Sequence, residues 1–301
     1  MSFVKNSGWR GIGLAIIVAF GFSATSVLSA LAYAGGTNAL SVLTIRSIFA
    51  LVILLFILRL KNVVTKLPPA RRNGALACGI LLAIYSYGLL GAIEYMPVAL
   101  AVIIFYTYPI LVAGVGWLSG REPFRPEVAI ALSIAFLGLM LALDVWEFQP
   151  HPLGVTLAIV AAVGLTILLT VIEKVRSGND SRPITLHMLG ASTIVYLVGG
   201  GLFGDFLLPH TVSGWIGFIG TQITFTFSIV CVFIALSMIG PLRTSLTMNI
   251  EPVMTVALGY LILAETLNGW QLLGFAIVIT AVVAVELIKP KNVVTKSPPT
   301  A

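Results

Sequence analysis

Two charged side chains stand inside long apolar stretches of this 301-residue chain. Arg46 lies in ALSVLTIRSIFALVILLFIL, and Glu251 lies in NIEPVMTVALGYLIL. A charge at the centre of a membrane helix costs about 2.5–3.5 kcal/mol on insertion scales, so each one needs a compensating partner. Arg46 is suited to a ligand carboxylate, and Glu251 is suited to an ammonium group or a proton. The structural alternative is that the two charges pair with each other, or with backbone carbonyls, and hold helices together.

Aromatic and polar side chains crowd the middle of several apolar segments. The ones that we predict as substrate-binding, together with Arg46 and Glu251, are Tyr85, Tyr106, Tyr108, Gln222, Phe225 and Asn249. Hydroxyls and amides avoid lipid, so the polar members of such clusters are expected to face a cavity or another helix. Ordinary helix packing is the alternative for any single aromatic residue.

Two prolines accompany these clusters, Pro109 beside Tyr106 and Pro252 beside Glu251. Proline lacks a backbone N–H, so it should loosen the helix next to it and free carbonyl groups. Such carbonyls can bind an ammonium group. We therefore predict Pro109 and Pro252 as helix-break or gating positions.

The composition identifies the elements that must position these residues. The chain is 58% hydrophobic and 9% charged, with a mean hydropathy of +1.07, whereas a soluble domain carries about 25% charged residues. Soluble, collagen-like and disordered proteins are thereby excluded. Cys78 and Cys231 lie in apolar runs, so neither a disulfide framework nor a Cys-based metal site is predicted, and we expect no cofactor.

Ten apolar runs approach the roughly 20 residues that cross a bilayer. They are 11–34, 39–60, 73–93, 97–118, 127–145, 152–173, 183–204, 213–239, 241–263 and 269–288. With the N-terminus in the cytoplasm, 16 of the 17 basic residues fall on the cytoplasmic side, and the remaining one is Arg46. The positive-inside rule therefore predicts an all-α polytopic membrane protein with both termini in the cytoplasm. It also explains the net charge of +6 without a nucleic-acid partner.

The chain also resembles itself. Pro109 is followed by Glu122, and Pro252 is followed by Glu265, at the same offset of 13 residues. Barring coincidence, this match indicates two halves of five helices each, and because five is odd the second half must be inverted. We divide the chain into a first repeat at 1–146, a second repeat at 147–290 and a cytoplasmic tail at 291–301.

These segments resemble the EamA repeats of the drug/metabolite transporter superfamily. The resemblance rests on IRSIFA, on YMPVALAVIIFYTYPIL followed by GRE, and on NIEPVMTVALGYLILAETLNGWQLLG. Within that superfamily the chain looks most like the YddG-type amino-acid exporters. The resemblance implies ten transmembrane helices in two inverted repeats, an inner-membrane location and alternating access to a cavity between the halves.

Other functional classes fit the residues less well. HExxH and GxSxG are absent from the sequence, and no Asp lies in mid-span, so we do not expect an enzyme. A phosphate or nucleotide-sugar carrier needs several deep basic residues, whereas Arg46 stands alone. We predict export of small neutral and aromatic amino acids, in contact with the lipid bilayer and with an oligomeric state that the sequence leaves open. The alternative is efflux of drugs or other small neutral metabolites.

Overall fold

The computed structural model describes most of the chain as helix. The described residues are 2–96, 98–120, 124, 126–142, 151–175, 182–204, 206–248, 250–263, 269, 270, 272–274, 276, 277, 280 and 281. The helices are α1 (Ser2–Ala34), α2 (Ala39–Leu60), α3 (Pro69–Tyr95), α4 (Val98–Phe105), α5 (Tyr108–Leu118), α6 (Pro126–Ala142), α7 (Pro152–Val175), α8 (Arg182–Phe203), α9 (Val212–Met248) and α10 (Glu251–Leu263). No strand occurs in these ranges, as the sequence predicted.

Membrane-crossing length is reached by part of this set. Within the described residues, six helices are long and apolar enough to cross a bilayer, namely α1, α2, α3, α7, α8 and α9. Shorter apolar stretches lie in α5, α6 and α10. Outward-facing side chains such as Phe20, Val52, Phe56, Ile159 and Ile194 are half exposed or more, which suits contact with lipid. The polytopic fold is clear, whereas the count of ten spans stays a prediction.

Three of the predicted spans differ from the helices of the structure. The run 97–118 is divided into α4 and α5, with a turn at Tyr106 and Thr107. The boundary predicted at Gly240 is wrong, because α9 continues through Pro241 to Met248. Membrane helices tolerate an internal proline where neighbouring groups satisfy the freed carbonyl. The next described turn is at Ile250, directly before α10.

Close helix contacts reveal how the two halves are related. Three contacts between α1 and α9 recur between α7 and α3. Each α1 residue corresponds to the α7 residue 143 positions later, and each α9 residue corresponds to the α3 residue 143 positions earlier. The same offset separates Pro109 from Pro252. The pairs are Gly11–Ile239 and Gly154–Met96, Gly21–Ser228 and Gly164–Tyr85, and Ala32–Gly217 and Val175–Gly74. Residue numbers rise along one helix as they fall along its partner, so both pairs are antiparallel. Because α3 is joined to α1 through α2 by short turns, α7 runs opposite to α1, and the two-repeat inverted architecture fits.

Backbone turns at the two helix interruptions follow the same register. Thr107 N–H donates to the carbonyl of Ile104 at 3.2 Å, and Ile250 N–H donates to that of Thr247 at 3.4 Å. These two bonds are also 143 positions apart. The interruption before each proline is therefore a feature of the repeat.

One end of the bundle is held together by contacts between the halves, and we call it the His210 end. His210 N–H donates to the carbonyl of Gly35 at 2.8 Å, and the Thr37 hydroxyl donates to the carbonyl of Leu207 at 2.6 Å. Leu207 N–H donates to the Ser41 hydroxyl at 2.8 Å. The loop after α1 is thus joined to the loop before α9. The opposite end, which carries residues 61–68, is called the Lys61 end.

Substitution of a contact glycine tests this packing. A methyl group at Gly217 would lie 2.5 Å from the carbonyl oxygen of Leu28 and 2.7 Å from the Ala32 nitrogen, so α1 and α9 must separate. We expect Gly217→Ala to destabilise the protein by about 1–3 kcal/mol, the usual range for overpacking. The measurement is the thermal unfolding midpoint of the purified protein in detergent.

The matched control is Gly190→Ala, since a methyl group there would meet nothing within 4 Å. Its helical position should leave stability unchanged or raise it by up to about 1 kcal/mol, because alanine favours helix. Equal midpoints for the two variants would contradict the close α1–α9 contact.

Candidate functional site

Arg46 is held inside the bundle by α2. The side chain of Asn38 caps this helix by accepting from Ser41 N–H at 2.9 Å, which fixes where the helix begins. Arg46 follows about two turns later and is 4% exposed. Its guanidinium carbon lies 3.9 Å from the centre of the Phe225 ring on α9, a cation–π geometry. Phe22 of α1 packs edge-on against Phe225, with ring centres 6.1 Å apart.

Tyr196 of α8 is a second contact of Arg46, and the sequence analysis missed it. Its side chain is 4% exposed, and its hydroxyl is hydrogen-bonded to the guanidinium and to the Ser86 side chain. The same hydroxyl donates to the backbone carbonyl of Ala83 at 3.3 Å. A tyrosine in mid-span needs a partner for its hydroxyl, and that was the available signal. It did not tell which helix supplies the partner.

Glu251 lies at the first position of α10, where the helix dipole favours a negative charge. The Tyr106 hydroxyl donates a hydrogen bond to its carboxylate. The Glu251 carbonyl accepts from the hydroxyls of Ser23 at 2.7 Å and Thr255 at 3.0 Å. Tyr106 itself occupies the turn between α4 and α5. The two helix interruptions are therefore linked directly by the Tyr106–Glu251 hydrogen bond.

Aromatic rings form one wall between the two charges. Tyr85 stacks on Phe105 with ring centres 6.3 Å apart, and Phe105 lies 5.3 Å from Tyr108 and 5.6 Å from Tyr106. The rings of Tyr106 and Tyr108 are 5.6 Å apart. Tyr85 lies within electrostatic range of both Arg46 and Glu251. We call Tyr85, Phe105, Tyr106 and Tyr108 the aromatic wall.

The charges at the two sides of this wall are not each other's partners. Within the described helices, the side chains that act on Arg46 are Tyr196, Tyr85 and Tyr33, and the hydrogen-bond partner of Glu251 is Tyr106. A guanidinium carries five N–H donors, so Arg46 keeps donors for a ligand. The alternative that Arg46 and Glu251 form an ion pair therefore lacks support.

Gln222 adds an amide beside Phe225 on α9. It is 5% exposed, and its Nε2 donates to the carbonyl of Phe218 at 2.9 Å. Its Oε1 and the Thr226 hydroxyl, one turn further on, are buried without a hydrogen-bond partner among the described residues. Unpaired buried polar atoms are costly in a bundle interior. Asn249, the remaining predicted site residue, lies outside the described residues.

A groove of about 570 Å³ lies elsewhere, between α6 and the last described helical residues. Its lining comprises Glu127, Ile130, Ala131, Ile134, Ala276, Ile277, Thr280 and Ala281. It includes none of the predicted site residues and opens widely on the bundle surface. No group of three or more potential metal ligands occurs within the described ranges.

Comparisons with known proteins agree with this architecture. The model of the EamA-like transporter family matches residues 9–143 and again residues 152–287. An uncharacterized transporter of Archaeoglobus fulgidus is 27% identical over 215 residues, which are 71% of this chain and 76% of that protein. A crystal structure superposes with a TM-score of 0.63 at 16% identity, covering 95% of this chain and 99% of that chain. That last likeness concerns the fold alone.

Stability measurements separate a ligand-binding Arg46 from a structural one. Arg46 is a buried cation without a carboxylate partner among the described residues, so replacing it by an apolar side chain of similar length removes a desolvation cost. We expect Arg46→Met to unfold at the same temperature as the wild type or higher. The measurement is the thermal unfolding midpoint in detergent.

Leu58→Ala on the same helix shows that the assay is sensitive. Leu58 is fully buried, so its truncation should cost about 2–5 kcal/mol. If Arg46→Met lost as much stability as Leu58→Ala, Arg46 would be a structural ion.

Proposed function

This chain belongs to the EamA-like transporter family and is therefore a membrane transporter, and we propose that it exports small neutral and aromatic amino acids across the inner membrane. The single observation that carries the proposal is the pair of interior charges, Arg46 and Glu251, which are unpaired with each other and flank an aromatic wall. One cation, one anion and an apolar surface are complementary to a zwitterion with an apolar side chain.

Each part of the site then has a role. Arg46 binds the substrate carboxylate, and its guanidinium carbon lies over the Phe225 ring. Glu251 binds the substrate ammonium, and Tyr106 orients its carboxylate. Tyr85 and Tyr108 contact the substrate side chain as part of the aromatic wall. Gln222 offers its unpaired Oε1 as a further acceptor, and Asn249 is assigned to the site on sequence grounds alone.

Alternating access is the mechanism that suits this frame. Inverted repeats place a substrate at the level of interrupted helices, and the two halves rock around it. Pro109 follows the interruption that contains Tyr106, and Pro252 follows the one that precedes Glu251, so rocking would change the site from both halves. Contacts such as that of Gly35 with His210 join the halves at one end and must break when the site opens there.

The arrangement in the membrane is part of the same proposal. Charge distribution supports ten spans with both termini in the cytoplasm, which makes the Lys61 end cytoplasmic and the His210 end external. The first repeat is assigned to 1–146, the second to 147–290 and the tail to 291–301. The export direction follows from the resemblance to YddG-type exporters.

Counterflow in proteoliposomes tests the substrate class. Vesicles are preloaded with one unlabelled solute and diluted into trace labelled phenylalanine, and uptake of label is followed. We expect transient accumulation with internal phenylalanine, methionine or threonine, because a carrier exchanges like solutes. Internal nucleotide sugar should give none, because it needs several deep cations and Arg46 is the single one in the predicted spans. Internal cationic dye should give none either, because the charge of Arg46 opposes its own. Failure with every amino acid would contradict the proposal and favour a drug or neutral-metabolite carrier.

The two charge assignments are tested with phenylalanine analogues that lack one charge. Wild-type protein should be inhibited better by phenylalanine than by phenylalaninamide or 3-phenylpropionate. We expect Arg46→Ala to lose the preference for the carboxylate and Glu251→Gln to lose the preference for the ammonium, each by about tenfold or more, because a charge-assisted hydrogen bond contributes about 1.5–3 kcal/mol. The readout is the inhibition constant of each analogue in the counterflow assay. Unchanged preferences at normal expression would contradict the assignments.

A further inference from the structure

The inverted repeat exposes a feature of α2 and α8 that is present only once. The offset of 143 residues makes Leu189 of α8 the counterpart of Arg46, and Ile53 of α2 the counterpart of Tyr196. Leu189 is 1% exposed and belongs to an apolar core with Leu54 and Leu58. One copy of this equivalent position is thus an Arg–Tyr pair, and the other copy is apolar.

The surroundings of Tyr196 explain what this pair can do. Its hydroxyl hydrogen donates to the Ala83 carbonyl of α3 at 3.3 Å, so the lone pairs of the oxygen are left for donors such as the Arg46 guanidinium. The guanidinium carbon also lies over the Phe225 ring, 3.9 Å from its centre. The Tyr196 hydroxyl and the Phe225 ring together restrain the position and the rotation of the planar group.

We propose that Tyr196 is a positioning residue that orients the Arg46 guanidinium for a substrate carboxylate. This inference rests on the proposed function, since it names the residue that sets the carboxylate specificity of that site. Arg recognises carboxylates through two parallel N–H bonds, which need a fixed plane. A guanidinium held by one phenol and one ring keeps a pair of its five N–H donors in a fixed plane for the carboxylate. Without the phenol, the side chain rotates about its flexible stem and the two-point contact is lost.

Tyr196→Phe is the test, because it removes the hydroxyl and keeps the ring in place. The measured quantity is the ratio of the inhibition constants of phenylalaninamide and phenylalanine in counterflow. We expect this ratio to fall about tenfold, the effect of one hydrogen bond to a charged group. The maximal exchange rate and the unfolding midpoint should change little. Tyr260→Phe is the matched control, since Tyr260 is 48% exposed on α10 and its substitution should leave the ratio unchanged.

A double-mutant cycle separates positioning from packing. If Tyr196 acts through Arg46, adding Tyr196→Phe to Arg46→Ala should not alter the ratio further. A further fall in the Arg46→Ala background, or a Tyr196→Phe variant that weakens both ligands equally and unfolds early, would overturn the inference and make Tyr196 a packing residue. If Tyr196→Phe discriminated the two ligands as well as the wild type does, the inference would be overturned and the proposed function would stand. Absence of amino-acid counterflow by the wild type would overturn both.

Discussion

The interior of the bundle depends on the close approach of helices that belong to different halves of the chain. Gly217 against Leu28 and Ala32, and Gly88 against Leu157 and Ala161, bring backbones of opposite repeats into contact. In a bilayer, apolar burial contributes little to helix association, so such small-residue packing must hold the halves together. Tyr85 of the aromatic wall lies at another of these contacts, against Gly164 of α7.

The two equivalent interfaces use different chemistry. Between α1 and α9, the Thr25 and Thr224 hydroxyls lie 2.9 Å apart, and those of Ser29 and Thr221 lie 3.3 Å apart. Moving these residues by 143 positions gives Leu168 with Leu81 and Ile172 with Cys78, which are apolar pairs of α7 and α3. Hydrogen bonds between helices have directions and resist sliding, whereas apolar contacts permit it. One interface therefore has directional hydrogen bonds that the equivalent positions of its counterpart lack.

The sequence predicted the general features of this molecule because they follow from solvation. Charge and proline inside apolar runs are conspicuous, and Arg46, Glu251, Tyr85, Tyr106, Tyr108 and Phe225 do lie around one region. Tyr196 was missed because its significance comes from Ala83 and Arg46 on other helices, and no local pattern records such pairings. The boundary at Gly240 was misplaced for a related reason. A glycine and a proline interrupt a helix only where the surrounding bundle leaves the freed backbone unsatisfied.

The site is a second place where the repeat loses its symmetry. Glu251 corresponds to Tyr108, Arg46 to Leu189, and Tyr85 to Ser228 under the offset that relates the helices. An exact twofold repeat would present each side chain twice, and a solute whose two ends differ chemically cannot bind both copies. Placing the cation in the first half and the anion in the second gives the site a direction. Because the two charges belong to different halves, the rocking that we propose would change their separation, and binding of the proposed zwitterion would thereby be coupled to that movement.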